Sequence, residues 1–320
     1  MTVWWIVFAV IILLLLALDL GVINRKAHVI KMKEALLWTS FWVTLAIAFG
    51  AGVYYFYGHG KAMEFFAAYL IEYSLSIDNL FVFMLIFRYF GVPHAYEHKT
   101  LFWGVLLALI TRAVFIFAGV ALINTFHWVM YIFGAFLIYT GIKMALNKQT
   151  EVHPDQNVAL KLLRMFFPVS KQFAGSKFII VKKGVRYATP MLAVLLALET
   201  TDILFAVDSI PAVLAISKDP FIVYTSNVFA ILGLRSLFFA ISGLMKLFHL
   251  LHYGLAAILT FVGAKMLIED FFDIPVAASL IVIASILAAS IVSSMLWPGN
   301  EEEEDEVPPV TLKEQQDDNH

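Results

Sequence analysis

The chain has no cysteine, which excludes disulfides, thiolate metal sites and thiol catalysis. Charge is scarce as well: 14% of the 320 residues are Asp, Glu, Lys or Arg, against about 25% in a soluble domain. The net charge is −2 and no basic face can be drawn, so nucleic acid is excluded as a partner. No Lys or Arg precedes the first apolar run, at 3–18, and no small-residue cleavage site follows it. That run therefore reads as a first transmembrane helix and not as a cleavable signal peptide.

What fills the chain instead is apolar: 61% of residues are hydrophobic and the mean hydropathy is +0.85. Such a composition belongs to a membrane protein, and the length accommodates about nine spans of roughly 20 residues. We expect an all-α, polytopic helical membrane protein with spans at 3–22, 36–57, 64–88, 100–123, 127–146, 188–214, 221–246, 250–269 and 275–297. Positive charge alternates between the loops. Arg25, Lys26, Lys31 and Lys33, then Arg88 and Lys99, then eight basic residues in 147–187, then Lys246 fall on one side. The other loops carry Lys61, Lys218 or none, and the one at 269–273 is acidic. The positive-inside bias places the amino terminus outside and the carboxyl terminus in the cytoplasm. Segment 147–187 reads as a surface hairpin or a connector, with Gly175 and Gly184 flanking a short apolar run. The acidic segment 298–320 has the composition of a disordered tail.

Two stretches resemble each other. YIFGAFLIYTGIKM (131–144) matches YGLAAILTFVGAKM (253–266) at several positions in one register. Upstream, GVLLALITR ends at Arg112 and VFAILGLR at Arg235, and SLSIDN (to Asn79) matches LFAVDS (to Ser209). Three signals in one order indicate an internal repeat, with units at 64–146 and 188–269 after two amino-terminal spans within 1–57. Three spans per unit make the second enter the membrane from the opposite side. This is the inverted arrangement of secondary transporters, which bind near the midplane.

Five carboxylates lie inside these spans: Glu72, Asp78, Glu199, Asp202 and Asp208. An Asp at a helix centre costs roughly 2.5–3.5 kcal/mol on insertion scales, so such residues mark ion or proton sites. Glu72 and Asp78, six residues apart, point about 120° from each other on a helix, and Asp202 and Asp208 repeat that offset. Either protein surrounds both helices on several sides, or they unwind near 78–79 and 208–209; Pro211 favours a kink or break there. Arg112 and Arg235 supply two positive charges for ion pairing or gating, which leaves three carboxylates uncompensated. With Asn79, Ser76, Ser209, Thr200 and Thr201 nearby, the donors are hard oxygens. No histidine falls mid-span. Such a set suits Mn²⁺, Mg²⁺ or Ca²⁺ and not Zn²⁺ or Cu⁺. His94 and His98 have metal-compatible spacing but no third ligand, which favours a solvated loop.

The signatures EYSLSIDNLFVF (72–83) and ETTDILFAVDSIPA (199–212), together with SNVFAILGLRSLFF (226–239), YATP (187–190) and YIFGAFLIYTGIKM, resemble the TerC family of integral membrane proteins. The resemblance runs over about residues 1–297. It implies export of manganese across the bacterial inner membrane, within the LysE-type transporter superfamily. By position the family's functional acids fall on Glu72, Asp78, Glu199, Asp202 and Asp208, and Asn79 joins them as a candidate metal ligand from its own oxygen donor. The family is named for tellurium resistance, yet tellurite is an oxyanion that an acidic site repels.

The leading expectation is thus a manganese–proton exchanger with no resident cofactor, not an enzyme. An assembly or metalation factor, working with envelope or secreted proteins through the 147–187 loop, is the alternative. The paired aspartates also suggest an intramembrane aspartyl protease, but the Gly-x-Gly-Asp hallmark of that class is absent.

Overall fold

Long apolar segments with few polar breaks have one stable form in lipid, the helix, which satisfies every backbone group internally. The computed structural model describes residues 2–18, 32–146, 160–161, 163, 165, 167–170, 172–182, 184–241, 250–272 and 274–297. The acidic tail, the basic stretch 19–31, residues 147–159 and Lys246 lie outside the described residues.

The helices are α1 (Thr2–Leu18), α2 (Met32–Tyr57), α3 (His59–Phe90), α4 (His94–Thr125), α5 (Val129–Leu146), α6 (Pro190–Leu214), α7 (Pro220–Ile241), α8 (Leu251–Ile268) and α9 (Val276–Leu296). Each corresponds to one expected span. Eight are long and apolar enough to cross a membrane; α1 is the shorter one. Helices α3 and α4 have 32 residues each, about 48 Å at 1.5 Å per residue. They exceed the hydrocarbon core and so must tilt or project from it.

Local chemistry sets the boundaries. Gly58 (φ 86°) alone separates α2 from α3. Gly91 (φ 61°) closes α3 in the left-handed conformation, its N–H donating to the carbonyls of Arg88 and Phe87. Pro190 and Pro220 open α6 and α7, where a missing N–H is harmless. The Asp219 carboxylate caps α7 by accepting from the Phe221 N–H at 3.0 Å.

Burial orders the helices from centre to rim. Of the α7 span 94% is buried, against 22% for α2 and 17% for α9, so α7 is central and α2 and α9 present apolar faces to lipid. The packing pairs α3 with α7, α4 with α6, α3 with α6, α4 with α7, and α5 most extensively with α8. The last contact uses glycine. A Cβ at Gly134 would fall 2.9 Å from the Gly263 carbonyl oxygen, and one at Gly263 2.6 Å from that of Gly134, so a larger side chain would force the helices apart.

Loop ends gather as the charge alternation predicts. At one end Lys61 pairs with Asp219 (3.6 Å), Lys218 with Glu269 (2.9 Å) and His127 with Asp270 (3.4 Å). These ties join all four loops expected outside. At the other end the Lys99 ammonium donates to the Ser176 carbonyl at 2.6 Å, joining two loops expected inside. Within 147–187 the described residues include an antiparallel hairpin, β1 (Ile179–Lys182) and β2 (Val185–Ala188), turned at Gly184 (φ 79°). The surface-hairpin reading of that segment therefore holds for its described part. The Thr189 hydroxyl donates to the Lys177 carbonyl at 2.6 Å and ties the hairpin to the start of α6.

One expectation is corrected. Neither α3 nor α6 unwinds: both are continuous through Asp78–Asn79 and Asp208–Ser209, and Pro211 sits inside α6. The carboxylates point in several directions because protein surrounds these helices on several sides. Pro211 costs one intrahelical bond, which packing against α3 and α4 outweighs.

Candidate functional site

Arg112 lies midway along α4, fully buried. Its guanidinium joins three helices. The Asp202 carboxylate on α6 is gripped in a fork, Nε to Oδ2 at 3.2 Å and Nη2 to Oδ1 at 3.0 Å. Nη1 donates to Glu72 Oε1 on α3 and, at 2.8 Å, to the Ser209 hydroxyl on α6. A bidentate fork is the geometry in which a buried ion pair recovers most of its desolvation cost.

With both carboxylates ionised, this cluster is formally one charge negative, two carboxylates around one guanidinium. It also keeps uncommitted oxygen: Glu72 Oε2 and Ser76 Oγ are buried with no hydrogen-bond partner among the described residues. Four residues apart on α3, Glu72 and Ser76 share a face, so the negative cluster borders a pair of unfilled hard donors.

Glu199, one turn before Asp202, accepts from the Thr111 hydroxyl at 3.3 Å through Oε1, while Oε2 is buried without a hydrogen-bond partner. Glu199, Asp202 and Arg235 line a small cavity together with Leu80, Phe83 and Leu101, of about 20 Å³. That is the space of roughly one water, fit for a single ion and too small for an organic solute. Its lining comes from the carboxyl-terminal half of α3 and the amino-terminal half of α4, with α6 and α7 closing it, on the side where Lys99 meets the hairpin.

Asp208 and Asp78, equivalent in the sequence repeat, have unlike surroundings. Asp208 accepts from the Thr140 hydroxyl on α5 at 3.2 Å. In the matched segment of α8, Val262 stands where α5 has Thr140. Asp78 is half-buried and finds no hydrogen-bond or ion-pair partner among the described residues. Asn79 is buried beside it.

The structure thus brings Glu72, Asp202 and Ser209 together on Arg112, sets Glu199 and Arg235 against the adjoining cavity, and leaves Asp78 and Asp208 apart from them. No group of three or more His, Asp or Glu among the described residues is arranged to hold a metal ion. Thr200 and Thr201 are withdrawn, because their hydroxyls donate back to the carbonyls of Leu196 and Ala197. Sequence reasoning missed Thr111 and Thr140. Each is a hydroxyl inside a repeat segment, directly before Arg112 or Gly141, and that position was the available signal. His94 pairs with Glu97 at 2.9 Å in the first turn of α4, away from the carboxylates. At the opposite end an open cleft of about 670 Å³ is lined by Lys61, Glu64, Ser217, Asp219, Lys265 and Glu269.

Together these features define a polytopic α-helical membrane protein with a charged cluster sealed in its core. More particularly, the chain belongs to the TerC family of integral membrane proteins, whose description matches residues 57–302. It is 51% identical over 283 residues to an uncharacterized membrane protein of Myxococcus xanthus, covering 88% of this chain and 89% of that one. A protein of Salmonella typhi, which its name describes as a membrane-bound redox modulator, Alx, is 45% identical over 88% of this chain and 91% of its own length. The Alx protein of Escherichia coli strain K12 is 44% identical, with the same coverage. No solved structure matches the chain.

Proposed function

We propose that this protein exports divalent manganese across the bacterial inner membrane, exchanging it for protons at carboxylates between its two halves. The observation that carries the reading is the convergence of Glu72 and Asp202, one from each half, on a single buried guanidinium. This convergence leaves net negative charge and unfilled oxygens. A buried surplus of negative charge needs a cation, and oxygen donors favour a hard one.

Two features support the inverted arrangement. Gly134 meets Gly263, while Gly141 meets Ala256. Gly134 corresponds to Ala256 in the repeat alignment and Gly141 to Gly263, so the two contacts exchange under a two-fold axis, with α5 and α8 antiparallel. The packing pairs exchange likewise: α3 with α7 corresponds to α6 with α4. The amino terminus then lies outside and the hairpin in the cytoplasm, by positive charge.

The redox role in the names of relatives is read here as indirect. A chain without cysteine has no thiol to exchange, whereas manganese supply affects redox defence elsewhere in the cell. The test is manganese content: cells producing the protein should hold less manganese than cells producing Glu72→Gln or Asp78→Asn, compared at equal membrane abundance. Equal manganese in all three would reject the reading.

A further inference from the structure

We propose that Arg112 is a tethered counter-cation: its guanidinium holds the place of the transported cation between Glu72 and Asp202 and leaves when that cation arrives. The inference rests on the transport reading and adds how the empty site is stabilised.

The argument begins with the donors. Both oxygens of Asp202 and one of Glu72 are committed to Arg112. A hard divalent ion gathers about six oxygens, and with the guanidinium in place the pair offers it only Glu72 Oε2 and the lone pairs that the fork leaves over. Nor can a dication share the pair with a fixed positive charge at contact distance, in surroundings of low dielectric. Occupation by Arg112 and by the ion is therefore exclusive.

Exclusion works only if the displaced guanidinium has somewhere to go. Glu199 provides the second seat. It faces the neighbouring cavity from the same side of α6, one turn from Asp202. Its Oε2 is buried with no hydrogen bond. Swinging from Glu72 and Asp202 to Glu199 would keep Arg112 paired in both states, so no step leaves a bare buried charge, which is the costly outcome.

The consequence separates two half-cycles. With Arg112 absent, the ion binds without a competitor, but the emptied site carries uncompensated charge and cannot reorient. Cation-for-cation exchange needs only the metal-loaded reorientation, whereas net export needs the metal-free return, in which Arg112 balances Glu72 and Asp202 while protons occupy the carboxylates it leaves.

The experiment uses purified full-length protein in liposomes with Mn²⁺ as the probe. For Arg112→Gln, net Mn²⁺ efflux should fall at least about tenfold, tracer exchange with Mn²⁺ on both sides should persist, and half-saturating Mn²⁺ in exchange should drop about tenfold as the competitor disappears. Arg112→Lys keeps the charge but cannot form the fork, and should sit between wild type and Arg112→Gln in net efflux. If neither variant reaches the membrane, difference infrared spectra of wild-type protein carrying isotope-labelled arginine decide: Mn²⁺ binding should shift a guanidinium band, and choline should not. Net efflux by Arg112→Gln at the wild-type rate, loss of exchange and net efflux together, or a guanidinium band unmoved while Mn²⁺ binds would overturn the proposal and leave transport standing. Wild-type protein that neither binds nor moves Mn²⁺ overturns the transport reading itself, and this proposal with it.

Discussion

Gly134 on α5 and Gly263 on α8 meet backbone to backbone, each leaving no room for a Cβ beside the other's carbonyl. This contact joins the third helices of the two sequence repeats and fixes how closely the halves approach. Gly263→Val should cost about 1–3 kcal/mol through overpacking, read as a lower midpoint of thermal unfolding in detergent. Gly52→Ala, inside α2 where an added Cβ meets nothing within 4 Å, should not lower the midpoint. Equal midpoints for both variants would remove the close approach from the account.

Asp202 and Asp78 should differ in what their amides do. Asp202→Asn strips the fork from a fully buried arginine, a loss of roughly 3–5 kcal/mol, so membrane abundance and export should fall together. Asp78 has no such partner, and Asp78→Asn should abolish export at near-normal abundance. Quantitative immunoblots beside cellular manganese measure both; normal abundance of Asp202→Asn would mean that Arg112 finds other support.

Much of this could be read from the residues alone. Length and hydropathy placed nine spans, because a bilayer imposes one period on every segment. The charge alternation grouped the loops that ion pairs such as Lys218–Glu269 now join. The five acids stood out because each is costly where it sits. What the sequence could not show was pairing across helices. Nothing in the spacing says that Arg112 takes Glu72 and Asp202 together while Asp208 turns to Thr140, since those choices depend on helix rotation. The expected unwinding at Pro211 also failed: α6 stays helical through it, because local propensity leaves out the tertiary packing around it.

The Thr140–Asp208 bond offers a check on the unequal halves. Thr140→Val should lower stability by about 0.6 kcal/mol, and by no more than about 1.7, the range of hydroxyl bonds between membrane helices. Val262→Thr, which gives α8 the residue that α5 has, should not destabilise. A larger loss from Val262→Thr than from Thr140→Val would show that the two halves do not correspond as aligned.

Topology is open to direct labelling, since any introduced cysteine is unique. Lys61→Cys and Glu269→Cys should react with an impermeant thiol reagent on intact spheroplasts, whereas Lys182→Cys in the hairpin should react only after permeabilisation. Labelling of Lys182→Cys from outside would invert the orientation.

Manganese and protons should compete for the same buried oxygens, because metal binding requires the ionised carboxylate. The most direct measurement is Mn²⁺ uptake by everted membrane vesicles, at fixed membrane potential, with an imposed pH gradient. The account predicts uptake when the lumen is more acidic than the medium, loss of uptake when an ionophore collapses that gradient, and no uptake by vesicles carrying Asp202→Asn or Asp78→Asn. Uptake by wild-type vesicles no greater than by those variants, or unaffected by the gradient, would contradict it.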